Sequence, residues 1–307
     1  SHSHADQNSF AIEAFGEPLA IPSGMYALYS SAHHHGWTRQ TRAHNAVTFD
    51  GAGQVVRSAQ AVGAFPTFHT DDRITYALGD ASAAYDNRVL ACRRGVFCLD
   101  NGLFVLVDWL DPAYEAIWTW HLHAARRITV DPAGRRAEIR YDKAALDVVF
   151  CHADELLFKA WDGFDVMPFG TDEAADLPEE AAIHHLDVSS SMPKQRDVLL
   201  SVLHPRLVSD AAAVVEPLLD GQGEGARVVL DGRTYRVCVA KGSGGIDVGG
   251  VQADGAAAAV IEDAGGDVAR ALLVGGSHMS VDGREVAEGV LTRVEGLPET
   301  PERPRSA

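Results

Sequence analysis

The chain has 307 residues, 46% of them hydrophobic and 22% charged, with a formal net charge of −17. That length buries one large core or two moderate ones, and the acidic balance argues against general nucleic-acid binding and against anionic membrane surfaces. A membrane-spanning helix needs about 20 consecutive apolar residues, and the chain contains no such run.

The chain opens Ser1-His2-Ser3-His4-Ala5-Asp6-Gln7-Asn8, without an initiator Met and without a basic start leading into an apolar stretch. It reads as a processed product or as part of a longer protein. In an extended segment residues two apart share a face, so the His2 and His4 imidazoles point to one site. Asp6, Gln7 and Asn8 add polar groups where a plain core strand would not place them.

Residues 9–22 alternate as two strands joined at Gly16-Glu17-Pro18. Residues 23–44 lack apolar periodicity and are rich in Ser, Gly and His. They predict a long loop, of the kind that is more often functional than accidental. It carries His33, His34, His35, Trp37, Arg39, Arg42 and His44, with Asn45 following, and residues 33–44 contain no acid. An indole face stacks on a sugar ring, and a guanidinium pairs bidentately with a carboxylate, so this basic island suits a uronic acid. The competing reading is an arginine-rich loop that pairs with the chain's own carboxylates. Residues 46–50 predict a strand ending in an Asp50-Gly51 turn.

Strands are then expected at 73–78, 87–92, 103–109, 115–122, 136–141, 146–151 and 155–161, separated by Asp-, Asn-, Pro- and Gly-bearing turns. A second His-x-His, His121-Leu122-His123, falls within this run and reads as packed or hydrogen-bonded strand histidines. Residues 163–180 form an acidic break, either a loop or a link between two sheets. Strands resume at 181–187 and 196–205. Residues 209–217 predict a short helix capped by Ser209 or Asp210. Residues 226–294 read as a final small sheet, and the Pro-rich tail from Pro298 as disordered. Four cysteines without a Cys-x-x-Cys pair exclude a thiolate zinc site and read as buried thiols, with a Cys92–Cys98 bridge across a hairpin as the alternative. The fold class is therefore all-β: a large antiparallel β-sandwich over 1–205, a small C-terminal antiparallel sheet over 206–297, and a tail over 298–307.

SHSHADQNSFAIEAFGEPLAIPSGMY followed by HHHGWTRQTRAHNAVTFDGAGQ resembles the heparinase II/III-like polysaccharide lyases, which include the oligo-alginate lyases. The two stretches cover residues 1–54 and match a His-x-His-Ala-Asp strand start and an Arg-x-x-x-Ala-His-Asn-x-x-x-x-Asp-Gly segment in the family's order. The resemblance implies the C-terminal β part of a lyase whose N-terminal α/α toroid is absent from this chain and supplies the general base. The reaction it implies is β-elimination from a uronate polysaccharide such as alginate or a heparin-type chain.

By the same resemblance His2 assists proton abstraction or charge neutralisation; in the elimination it implies, Tyr26 is the candidate acid toward the leaving oxygen, with a buried strand-end aromatic as the alternative. His34, Trp37, Arg39, Arg42 and Asn45 are then expected at the substrate, with the loop backbone as the alternative partner of Asn45. His4 and His44 match zinc ligands, but the usual third ligand, an Asp, is missing, since Pro22 stands in that region. Zn2+ is therefore an expectation with an incomplete ligand set. The implied partners are an acidic polysaccharide or oligosaccharide and the toroid, in a bacterial cytoplasm, periplasm or cell envelope. Two rivals remain: a non-catalytic sandwich that binds acidic carbohydrate, and a cupin-like metal enzyme using His2, His4 and His44.

Overall fold

The computed structural model describes residues 3–25, 29–100, 102–168, 177, 181, 183–242 and 244–303. Four sheets stack face on face. The largest has eight strands, in the spatial order Ala64–Thr70, Ile74–Asp80, Val89–Leu99, Leu103–Pro112, Asp197–Leu207, Ala144–Cys151, Arg136–Arg140 and Ile128–Asp131. A four-stranded sheet covers one face of it, in the order Leu156–Asp162, His184–Ser190, Trp118–Ala124 and Val47–Phe49. A six-stranded C-terminal sheet covers the other face, and the strands Ile246–Val248, Val251–Ala253, Met279–Val281 and Arg284–Glu285 close the stack.

The two-residue period of the strands explains this stacking. Leu106, Leu146, Val148, Phe150, Leu199 and Leu203 face Trp118, Trp120 and Leu122 in the sandwich core. Their alternates Val105, Val107, Val149, Leu200 and Val202 face Val228, Val237, Ala259 and Leu272 of the C-terminal sheet. The same alternation continues there, with Ala258, Val260, Ala271 and Leu273 turned to the last sheet. The strands buried on both faces therefore read as continuous apolar runs in the sequence.

The C-terminal part thus comprises two sheets. They are antiparallel apart from the parallel pairing of Val268–Val274 with Leu291–Val294. Several local expectations are corrected. The helix expected over 209–217 is instead an edge strand, Val214–Leu218, paired with Gly223–Leu230. Its adjacent β-branched Val214 and Val215 favour extension, Val215 packs into the core, and Pro217 is tolerated because the strand is an edge.

The tail is anchored through residue 303: Arg93 donates to Glu299 O (3.1 Å) and Thr300 Oγ1 (3.0 Å), and Arg303 to Pro112 O (2.8 Å). The acidic break joins two neighbouring strands of one sheet rather than two sheets. Cys92 and Cys98 share the strand Val89–Leu99, so they cannot bridge a hairpin, and all four cysteines are thiols.

Candidate functional site

The first described residues run along the margin of the sandwich and are tied down at every step. Arg39, fully buried, donates to Ser3 O through Nε (3.2 Å) and Nη2 (2.9 Å), and its own carbonyl accepts the Ala5 amide (3.0 Å). Gln7 and Gln54 exchange two hydrogen bonds of 2.9 Å, Gln54 Oε1 accepting the Gln7 amide and Gln54 Nε2 donating to Gln7 O. Asn8 takes a left-handed conformation (φ 60°) and donates to Gly79 O (3.1 Å). Arg94, paired with Asp108 at 2.7 Å inside the sandwich, donates to both Asn8 O (2.7 Å) and Asn45 O (2.8 Å). One buried guanidinium therefore stitches the opening segment to the start of the Val47–Phe49 strand.

Within residues 29–44 the chain forms a π-helical turn, His34–Thr38, and a 3-10 turn, Thr41–Ala43. Its interior is apolar. Trp37 and Ala43 pack with Phe164 and Trp161, and the Trp37 Nε1–H donates to Ser23 Oγ (3.0 Å). The residues after Gly163 fold over this loop: Val166 O meets His33 Nδ1, and Asp165 pairs with Arg42.

These turns bring His44 beside His4 and Asp6. The potential ligand atoms of His4, Asp6 and His44 all lie within 4.8 Å of one another. The His4 ring also stands 5.8 Å from that of His34, and Tyr29 stands 5.0 Å from His34 on another side. Burial holds the His44 pKa down to about 4, reinforced by His4 and opposed by the Asp6 carboxylate. Burial and the positive charge of Arg39 lower His34 as well. Neutral imidazoles are the form that binds metal.

His44 Nε2 lies 3.2 Å from Thr38 O, so Nε2–H donates there and the Nδ1 lone pair is left for the cluster. The buried Nε2 of His34 has no hydrogen-bond partner. Two imidazoles and a carboxylate form three members of the nitrogen–oxygen set of a zinc site, with the fourth position open. The residues therefore fit a zinc ion.

The sequence-based expectations for this region are met unevenly. His2 and Tyr26 lie outside the described residues. His4, His34 and His44 come together. Trp37 is 0% exposed, so no face of its indole is offered to a sugar, and stacking is replaced by bracing of the loop. Arg39 is equally buried and bonds to the chain's own backbone, so the expected carboxylate clamp is also replaced. Asn45 donates to Phe10 O (2.8 Å) and accepts from the His123 amide (2.9 Å), again as a brace. Arg42 lies over the Trp37 ring (5.1 Å) and engages Gly36 O and Asp165, which is the pairing with the chain's own carboxylates weighed as the alternative.

Two residues were missed. Asp6 places a carboxylate beside His4 and His44, and the signal for it is its place two residues beyond His4. Arg57 stands exposed, in a left-handed conformation (φ 60°), near enough for its charge to act on His34. Nothing in the local sequence marks it.

The described residues thus form a stacked β-sandwich whose margin carries a His–Asp–His cluster. The chain belongs to the heparinase II/III-like family, whose C-terminal domain model matches residues 1–209. Its fold is similar to that of heparan sulfate lyase HepC from Pedobacter heparinus, at 15% identity and a TM-score of 0.60, over 77% of this chain and 37% of that one. A structure of heparinase III aligns at 16% identity and a TM-score of 0.60, over 78% of this chain and 36% of that one. The chain thus spans just over a third of the length of these proteins. No curated protein is similar enough in sequence to count as a match. No described helix is long and apolar enough to cross a membrane.

Proposed function

We propose that this chain forms the β-side wall of a lyase that cleaves a uronate polysaccharide by β-elimination. The observation that carries the reading is the His4–Asp6–His44 cluster, assembled beside His34 in a member of the heparinase II/III-like family. In β-elimination the C5 carboxylate is neutralised, a base removes the C5 proton, and the oxygen at C4 leaves. Stabilising the enolate-like charge is the largest catalytic term, and proton transfer adds to it.

His2 is assigned to assisting proton abstraction or neutralising charge, and Tyr26 to protonation of the leaving oxygen, both from their places in the motifs. Arg57 and the exposed His35 are the cationic groups with room to meet a substrate carboxylate. Arg39, Trp37, Asn45 and Arg94 hold the wall rigid, which is what preorganised electrostatics require. Zinc at His4, Asp6 and His44 would fix the opening segment against the loop. The general base and the opposite wall belong to the toroid implied by the family resemblance. Alginate and heparin-type chains are both candidate substrates. The modest number of available cations near the cluster favours a uronate with little or no sulfation.

The test is ultraviolet detection of unsaturated uronate from alginate and from heparan sulfate with the natural full-length protein. The expected result is product from one of the two and its near-complete loss in His2→Ala. Absence of product from both substrates, with oligosaccharide still bound, would replace this reading by the non-catalytic binding sandwich. Activity that disappears with chelator and returns in proportion to added metal, without uronate elimination, would favour the cupin-like metal enzyme.

A further inference from the structure

Nine described non-glycine residues adopt positive φ, and six of them are Asp or Asn, the types that tolerate it. Phe15 is an exception that no packing explains. The hairpin that pairs Ile12–Ala14 with Glu17–Ala20 turns through the two residues Phe15 (φ 56°) and Gly16 (φ 81°), a type I′ turn. The first loop position of such a turn favours Asn, Asp or Gly. A bulky aromatic there is strained, and the ring is 50% exposed, so burial does not offset the cost.

The ring borders an open cavity of about 420 Å³ between the sandwich and the C-terminal sheets, lined also by Asp100, Arg206, Asp210, Asp231, Arg233 and Tyr235. The cavity shares no lining residue with the His4–Asp6–His44 cluster. Its charges are not arranged for an anion. Arg206 is held by Asp147 (2.6 Å), and Arg233 leans on Asp100 (3.4 Å), which also accepts from Tyr235 Oη (2.8 Å) and Arg73 Nη2 (3.1 Å). Asp210 and Asp231 stand exposed at the rim. Exposed carboxylates accept hydrogen bonds from hydroxyls and repel carboxylates and sulfates, while an exposed aromatic face takes the apolar face of a sugar ring.

We propose that this cleft binds a neutral pyranose, stacked on Phe15 and hydrogen-bonded at its hydroxyls by Asp210, Asp231 and Arg233. The site is a second carbohydrate contact that selects for uncharged sugar units. It is independent of any lyase activity and is carried by the strained, exposed ring at the mouth of a polar cavity.

The test is saturation-transfer NMR on this chain with cellobiose and N-acetylglucosamine as neutral probes and glucuronate as the charged one. Transfer is expected from the neutral sugars and not from glucuronate. Phe15→Asn suits the turn, so it should raise the thermal midpoint while weakening neutral-sugar binding roughly tenfold, the scale of one aromatic contact. Asp231→Asn keeps a residue that tolerates the left-handed turn and should weaken binding several-fold, providing a second folded variant. Silence from both neutral probes overturns the proposal. So does neutral-sugar binding that survives both substitutions, or a Phe15→Asn variant that loses stability and leaves binding intact. Equal transfer from glucuronate overturns the selectivity.

Discussion

The chain contains two His-x-His pairs, and their surroundings turn the same spacing to opposite ends. His121 and His123 stack with their rings nearly parallel, 6.2 Å apart. His121 is held by Asp187 Oδ1 (2.8 Å) and Thr48 Oγ1 (2.9 Å). His185 Nε2–H donates to Gly163 O (2.6 Å), so its Nδ1 must accept, and His123 Nδ1–H donates to it at 2.8 Å. That fixes both tautomers and leaves only His123 Nε2 without a partner, buried. Around His4, by contrast, the groups within reach are the Asp6 carboxylate and the His44 imidazole, whose ligand atoms gather within 4.8 Å. Alternation sets which face a histidine occupies. What lies opposite decides whether it becomes structure or a ligand.

The largest expected effect tests whether both clusters share one electrostatic state. Burial lowers His44 and His185 to about 4, and His123 well below the ordinary 6.5. A histidine whose folded pKa lies below its unfolded value stabilises the fold as the neutral ring. That contribution is complete above pH 6.5 and is lost as pH falls toward 4. His44 and His185 should each cost about 3 kcal/mol of stability by pH 4, with His123 acting in the same direction. Chemical denaturation of metal-free protein across that window reads the slope, and His185→Gln should flatten it. A stability that does not change from neutral pH to 4 would show that the rings are not buried as neutral groups.

Metal separates the clusters. Zinc titrated into the chain should bind, and Asp6→Asn or His44→Gln should weaken it about 100-fold, the upper range for disturbing a metal site. His121→Gln should leave the affinity unchanged. Equal losses from all three would place the ion elsewhere. The companion test on the other side is Asp187→Asn, which weakens the acceptor for both His121 and the Trp161 indole (2.9 Å). About 1–3 kcal/mol should be lost in urea denaturation, with zinc affinity unaltered.

How much of this was legible in the sequence follows from what each signal measures. The alternation around Leu106, Val148 and Trp120 marks strands because a strand buried on one or both faces must show it. The Asp50-Gly51 turn was legible because few residue types tolerate positive φ, whereas the turn expected at Gly16-Glu17-Pro18 falls earlier, at Phe15-Gly16, because Phe is not a residue that signals one. The edge strand at Val214 was hidden, because its short Ala-rich approach carries the propensity of a helix and only the facing core decides. In the site, His4 and His44 were recognisable from motif order. Asp6 was overlooked because the acid was sought at the place the family usually puts it. Arg39 and Trp37 were misplaced for a physical reason: residue chemistry states what a side chain can bind, not whether it faces outward. Trp37 is covered by Phe164, more than a hundred residues away within an acidic stretch that gave no sign of folding over it, and Arg39 is engaged by the opening segment at Ser3 and Ala5.

The smallest effect decides the role of Trp37. Trp37→Phe keeps an aromatic ring in the pocket formed with Phe164 and Trp161, and removes the Nε1–H donated to Ser23. As a brace, Trp37 should cost about 1 kcal/mol on substitution, the usual net worth of one buried hydrogen bond. KM of the full-length protein for a uronate oligosaccharide should then stay within twofold. If the indole instead stacked on the sugar, the loss would fall on binding. A KM raised about tenfold, with the denaturation midpoint unmoved, would mean that the loop opens before substrate enters and that the closed arrangement around Trp37 is a resting state. A shift in stability alone would leave the loop as the fixed frame that holds His34 and His44 against His4.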